Sequence, residues 1–373
     1  MDSWTHTWIQ DMDSWTHTES WIHGHTPLCL LRTSQKLTKL SVALRQTMPI
    51  KLKYNASKSD DDSHMATPRN QLIDLVHPLH YHLVSRCVRR SWLCGKDSQS
   101  KRNYEHRKAW LEKRMFHLAQ CFAVAIDAFA IMSNHFHLVV YFDPQDSYRW
   151  TDKEVADRWL RACPPRAVAN SPEGEREIVR RHHAILLAMP ERLVHARQIL
   201  GSLSMFMKHL KQPIARLANK EDRCTGHFFE GRFYSGALLD ESAVIAAMAY
   251  VDLNPVRARI TRDLNDYQAA SGPHRSKIAI NQPERLALAI APLVSGISQD
   301  QPALSISLGE YMNIVNDGVH DYAAAKPKDK KSRWFDRIAA LKKRQRAFGS
   351  LAELSLWKTQ RSWSVTGASM PAI

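Results

Sequence analysis

Two short histidine patterns in this chain could carry chemistry. His135-Phe136-His137 lies in an apolar run. Side chains on a strand alternate faces, so both imidazoles point one way while Phe136 enters the opposite layer. Imidazole plus oxygen ligands suits a divalent ion such as Mg or Mn, and a histidine pair leaves coordination positions open for a phosphate oxygen. His80-Tyr81-His82 has the same spacing. Spacing alone does not choose between the two pairs.

A nucleophile would have to accompany such an ion. Tyr250 falls on a helix that starts at Asp240, a good N-cap, and ends near Asn254, because the residue before Pro255 is pushed out of the α region. Val244, Met248 and Val251 make an apolar stripe expected to face a sheet. Ala243, Ala246, Ala247, Tyr250 and Asn254 make a second stripe, whose small residues leave room for a substrate. Asn254, one turn past Tyr250, puts a carboxamide oxygen on the phenol's own face. Read without partners, Tyr250 is equally a tyrosine at the edge of a core, and Asn254 the cap of the turn that Pro255 begins.

The elements that must position these groups are legible from pattern. Residues 80–88 have strand character, 104–122 form a charged amphipathic helix, and the apolar runs 122–132 and 135–142 flank a two-residue turn, Ser133-Asn134. A helix with a capping-box start opens at Thr151, a Pro- and charge-rich insertion follows at 164–181, and 199–218 is helical. Strands segregated from helices and joined by hairpins give an α+β fold with an antiparallel sheet. Past Pro273 the pattern is helical over 283–293 and 308–322. Residues 326–361 hold twelve Lys/Arg against three Asp/Glu, a basic amphipathic tail that is either a solvated helix face or a phosphate-contacting arm.

Composition narrows the partner. The 373 residues carry 52 Lys/Arg against 37 Asp/Glu, a formal charge of +15 that attracts a polyanion, nucleic acid first. No apolar run is long enough for a membrane span, so the expectation is a cytoplasmic protein. Six cysteines without a C-x-x-C pair read as reduced thiols. Met1 to Thr7 recurs at Met12 to Thr18, so residues 1–64 read as a low-complexity, poorly ordered extension with alternative starts at Met48 and Met65. Cys224-x-x-His227 is half of a zinc pattern with no partner pair.

Met132-Ser133-Asn134-His135-Phe136-His137-Leu138-Val139-Val140, followed by Tyr250-Val251-Asp252-Leu253-Asn254-Pro255-Val256-Arg257-Ala258, resembles the paired signature of the HUH single-tyrosine transposases. It most resembles the branch called REP-associated tyrosine transposases. Tyr81 to Arg90, Arg149-Trp150-Thr151 and Cys224 to Phe233 agree with it, so the resemblance spans roughly residues 68–272. It implies a ferredoxin-like antiparallel sheet with packed helices over 65–272, often paired as a homodimer, beside the helical basic region 273–373 and the extension 1–64. Carried over, His135 and His137 become ligands of a divalent metal, Asn254 the third ligand and Tyr250 the nucleophile, while His80 and His82 fall on the first strand and drop out. Arg259 stands where the family commonly has Gly.

The chemistry implied is attack by Tyr250 on a phosphodiester of single-stranded or hairpin DNA in a bacterial, nucleoid-associated setting. It leaves a 5′-phosphotyrosine and a free 3′-hydroxyl that can reverse the step on another strand. A phenol with a pKa of about 10 is a poor nucleophile at neutral pH, so the metal supplies much of the acceleration. Arg232 and Arg257, close in sequence to the catalytic elements, are expected to hold phosphates. Phe228, Phe229 and Phe233 could stack bases, with core the expectation for at least two of them. Alternatives are a domesticated DNA- or RNA-binding protein that no longer cuts, and an HUH nickase of the replication or mobilisation type, which the lack of a G-x-x-x-x-G-K-[ST] motif disfavours.

Overall fold

In the computed structural model the chain divides into two units, Met1–Thr67 and Pro68–Ile373. The structure describes residues 68–88, 93–97, 101–165, 171–298, 301, 303–323, 334–360 and 367–369. The expected extension 1–64, with its repeat and alternative starts, lies outside the described residues.

The periodic segments form where their patterns place them. Strand β1 spans Leu79–Arg86, helix α1 His106–Ala119, β2 Val124–Ile131 and β3 His135–Phe142. β2 is buried on both faces and β3 nearly so, which is why they read as almost continuous apolar runs. Met132 N donates to His135 O at 2.8 Å and closes the turn at Ser133-Asn134.

Helix α2, Asp152–Ala162, opens on the capping box: Thr151 Oγ1 accepts from Glu154 N, and Glu154 accepts from Thr151 N at 2.7 Å. The charged insertion contains a helix, α3, Pro172–Leu187, with Ser171 as its N-cap and Pro172 in its first turn. The single helix expected over 199–218 is two. α4, Pro190–Leu200, stops, and Ser202 Oγ caps a new start, α5 Leu203–Asp222, by accepting from Met205 N at 3.3 Å.

The chain then forms β4 Tyr234–Leu238, α6 Glu241–Asp252, the one-turn α7 Asn254–Arg257 and α8 Ser271–Asn281. Asp240 Oδ1 accepts from Ala243 N at 2.8 Å, the N-cap expected of it. Past α8 the expected helix over 283–293 is only a 3₁₀ turn at Pro283–Ala287, followed by β5 Val294–Ser295. The competing partner is a sheet edge: Leu293 N donates to Ile126 O at 2.8 Å and Gly296 N to Val124 O at 3.0 Å. α9 Leu308–Ala323, α10 Phe335–Ala340, β6 Ala347–Gly349, α11 Leu351–Gln360 and β7 Gly367–Ser369 complete the order.

The fold is α+β around one seven-stranded sheet, order β5-β2-β3-β1-β4-β6-β7. Pairs from β5 through β4 are antiparallel as expected. β6 and β7 correct that expectation, because they add in parallel at the β4 edge. The long helical excursion between β4 and β6 is the crossover that a parallel neighbour requires. Helix α6 packs across β1 to β4, and α9 and α10 cover its outer side. Every residue from Ala243 to Asp252 is therefore buried, which corrects the expectation of a stripe left open to a substrate. Among the described residues no helix is long and apolar enough to cross a membrane.

Candidate active site

Strand register decides which side chains meet. Val84 lies opposite His137 and Arg86 opposite His135 on the β1–β3 ladder, while His82 lies opposite Val139. Opposed residues share a face, so His82 is the diagonal neighbour of His137, within reach across the ladder. Tyr234 of β4 lies opposite Val84 and joins the same face, and Gly236 lies opposite His82.

The histidine rings gather under Tyr250. His135 and His137 have ring centroids 5.0 Å apart, and His137 and His82 lie 5.9 and 5.7 Å from the Tyr250 ring. His82 Nε2 and His137 Nδ1 are 2.9 Å apart with ring planes 15° apart, so the two rings hydrogen-bond edge to edge. His135 Nδ1 is 2.6 Å from Asn134 Oδ1. His82, offered by its strand spacing and then demoted by the resemblance, is thus part of the cluster. His80 lies outside it, bonded to Gln301 at 3.2 Å.

Electrostatics at this face are one-signed. Burial lowers the His135 imidazole to about 4, helped by Arg86, Arg344 and Arg257, and lowers His82 to about 3, helped by Arg344 and Arg257. His137 is pushed well down by burial and by the same two imidazoles and arginines. The rings are neutral at pH 7, the form that can offer a ring-nitrogen lone pair. No carboxylate is among the groups that bear on them.

Tyr250 is held from two sides. Arg257 Nη2 donates to its hydroxyl oxygen at 2.8 Å and to Asn254 Oδ1 at 3.0 Å, with the guanidinium carbon 4.0 Å from the Tyr250 ring centroid. That bond uses an oxygen lone pair and leaves the hydroxyl hydrogen uncommitted. The end of α6 is tied down two residues later: Asp252 accepts from Tyr311 at 2.6 Å and from Ser271, whose hydroxyl also accepts from Phe129 N on β2 at 3.0 Å. Tyr250 is 6% exposed.

The other expected residues have plain positions. Arg232 is exposed just before β4, and its charge helps lower the Arg69 guanidinium. Phe228, Phe229 and Phe233 are all buried, so none is open for base stacking. Cys224 is exposed, with Asn219 as its hydrogen-bond partner. Arg259 adopts φ 57°, the left-handed region that favours glycine.

The imidazoles of His135 and His137 suit a divalent metal: they are neutral and side by side. The Oδ1 of Asn254, the expected third ligand, accepts from the Arg257 guanidinium, and its Nδ2 is buried without a partner among the described residues. Among the described residues no group of three or more His, Cys, Asp or Glu side chains is arranged to hold a metal ion.

No known family profile matches the chain, and no curated protein matches it. It aligns with the solved structure of a REP-associated tyrosine transposase bound to a REP hairpin at 10% identity and a TM-score of 0.31, over 61% of this chain and 91% of that one. An overlap of that quality extends neither fold nor chemistry to this chain, and both rest on the residues above.

Proposed function

We propose that this chain cleaves and rejoins single-stranded DNA through Tyr250, as an HUH-type strand transferase acting on hairpin-forming sequences. The observation that carries the reading is the Tyr250 hydroxyl, held by Arg257 beside two strand imidazoles in a site where only positive charge bears on the rings. Such a field favours a phosphodiester. The order β2-β3-β1-β4, with α1 between β1 and β2, supports a ferredoxin-like core for residues 65–272, to which β5, β6 and β7 are additions.

The step is an in-line displacement. Tyr250 Oη forms a bond to phosphorus, the bond from phosphorus to the 3′ oxygen breaks, and the phenol's proton is balanced by the proton taken up at that 3′-hydroxyl. Arg257, already on the phenol oxygen, orients the nucleophile and lies close enough to meet the charge that develops on the phosphate. His135 and His137 would hold a Mg or Mn ion, which when bound would neutralise charge on the phosphodiester. Reversal on a second strand joins it, so no further cofactor is required.

One observation favours a second reading, a protein that binds nucleic acid without cutting it: Tyr250, on α6, is buried. A hairpin oligonucleotide incubated with Mg or Mn decides between them. The proposed function expects an SDS-resistant protein–DNA adduct in the wild type and none with Tyr250→Phe, with DNA affinity unchanged. An adduct that survives Tyr250→Phe would move the nucleophile elsewhere, and no adduct in the wild type would favour the binder.

A further inference from the structure

The basic tail is not simply a solvated arm. Its strand β6 runs parallel to β4, pairing Ala237 with Ala347 and Leu238 with Phe348. Just before β6, Ala237 N donates to Arg346 O at 2.9 Å, and the Tyr234 hydroxyl donates to Gln345 O. Gly236 lets this approach happen: a Cβ there would overlap the Tyr234 hydroxyl and sit 3.1 Å from Gln345 O. These anchors set the next residue back, Arg344, with its guanidinium carbon 5.9 Å from the Tyr234 ring, itself 5.9 Å from the His82 ring.

Arg344 is exposed and has no hydrogen bond or ion pair among the described residues. Two more guanidiniums border the same rings. Among the described residues, Arg86 stands opposite His135 with a buried, unpartnered Nε, and the Arg257 side chain is bonded to Tyr250 and Asn254. Asn254, 3% exposed, adds a buried Nδ2 donor with no partner. Arg107 shows what a carboxylate-paired guanidinium looks like in this fold: it is bonded to Glu221 and Asp222 at 2.7 and 2.6 Å. Three guanidiniums that bear on the His135 imidazole, none with a carboxylate partner among the described residues, together with the buried amide donor beside Arg257, are a set of donors suited to an oxyanion.

We infer that Arg344, delivered by the C-terminal segment, completes a phosphate-binding subsite with Arg86, Arg257 and the Asn254 amide, and that this subsite receives the phosphate facing Tyr250. The identity of that phosphate as the scissile one rests on the proposed function, whereas the anion subsite does not. Residues 273–373 are then part of the site and not an accessory to it. Arg344 is a specific contact, unlike its neighbours Lys342 and Lys343, which share its charge and exposure.

The test is titration of full-length protein with inorganic phosphate in EDTA at constant ionic strength, followed through the arginine Nε–Hε resonances. In the wild type the Arg86, Arg257 and Arg344 signals should move together. Arg344→Ala should weaken binding about tenfold or more, the scale of one charge-assisted contact. Arg344→Lys should fall between, since it keeps the charge and loses the fork. Lys343→Ala should bind as the wild type does. Equal losses from Arg344→Ala and Lys343→Ala would reduce the effect to the tail's general field and overturn the inference, as would wild-type affinity in Arg344→Ala. A urea midpoint equal to that of the wild type shows that β6 remains docked, and Arg344→Gln replaces Arg344→Ala if that midpoint shifts. Phosphate binding that depends on Arg344 in a protein that forms no adduct would sink the proposed function and leave the subsite standing. Adduct formation at the full rate in Arg344→Ala would do the reverse.

Discussion

His80 and His82 are two residues apart on one strand and face the same way, yet they sit in opposite electrostatic surroundings. His82 meets His137, Tyr250 and the charges of Arg257 and Arg344. His80 meets Asp127, whose Oδ2 is 3.5 Å from its Nε2, and Gln301, which donates to Asp127 Oδ1 at 3.1 Å. Asp127 lies where β2 slips register against β3 between Ile126 and Ala128, a bulge that brings a polar side chain into the core. Burial raises its carboxyl to about 7 and lowers His80 to about 4. Between those values both groups are neutral, so the contact is an acid beside an imidazole and not an ion pair. One end of the sheet face thus gathers positive charge, and the other sets a carboxyl, an imidazole and an amide side by side. Residues on one face of one strand thus meet opposite surroundings because the facing elements supply the charge.

The sharpest way to break this comparison is to remove each histidine in turn and measure the SDS-resistant adduct. His137→Ala should lower the adduct rate at least about a hundredfold, and His82→Ala about tenfold or more, the scale of losing a group that holds a metal ligand in place. His80→Ala should stay within a few-fold of the wild type. Equal losses at His80 and His82 would erase the distinction between the two ends.

A smaller effect separates the ends by stability. The folded Asp127 pKa of about 7 lies above its unfolded value of 3.8, so folding takes up a proton. The stability this gives is complete below pH 3.8 and is lost as pH rises through 7, with a slope of at most about 1.4 kcal/mol per pH unit. The buried histidines, lowered from 6.5, contribute the opposite slope, so the Asp127 contribution is read as a difference: Asp127→Asn should change the wild-type pH slope in urea denaturation by about that amount between pH 4 and 7 while leaving phosphate binding alone. An unchanged slope would place the titration elsewhere.

The smallest effect belongs to the turn after Arg257. Arg259 holds φ 57°, where an L side chain is strained, so Arg259→Gly should stabilise the protein by about 0.5–1 kcal/mol after the extra freedom of glycine in the unfolded chain is subtracted. A lower calorimetric midpoint would show that the arginine side chain is worth more than the strain.

What the sequence determined by itself was local. The Thr151 box, the Asp240 cap, the Ser133-Asn134 turn and the apolar runs of β2 and β3 depend on residues a few positions apart, and their patterns are readable for that reason. The same holds for the shared face of His135 and His137. The short strands β5, β6 and β7 are two or three residues long and form only because a sheet edge already offers unsatisfied backbone groups, so no periodicity announced them. The position of His82 was set by a diagonal across the β1–β3 register, and the burial of α6 by helices that follow it by some fifty residues or more. Arg344 comes near His82 only through the return of the chain to β4. Tertiary structure decided these points because Coulomb and hydrogen-bond partners act through space, and residue spacing along a strand says which face a side chain takes but not what it will find there.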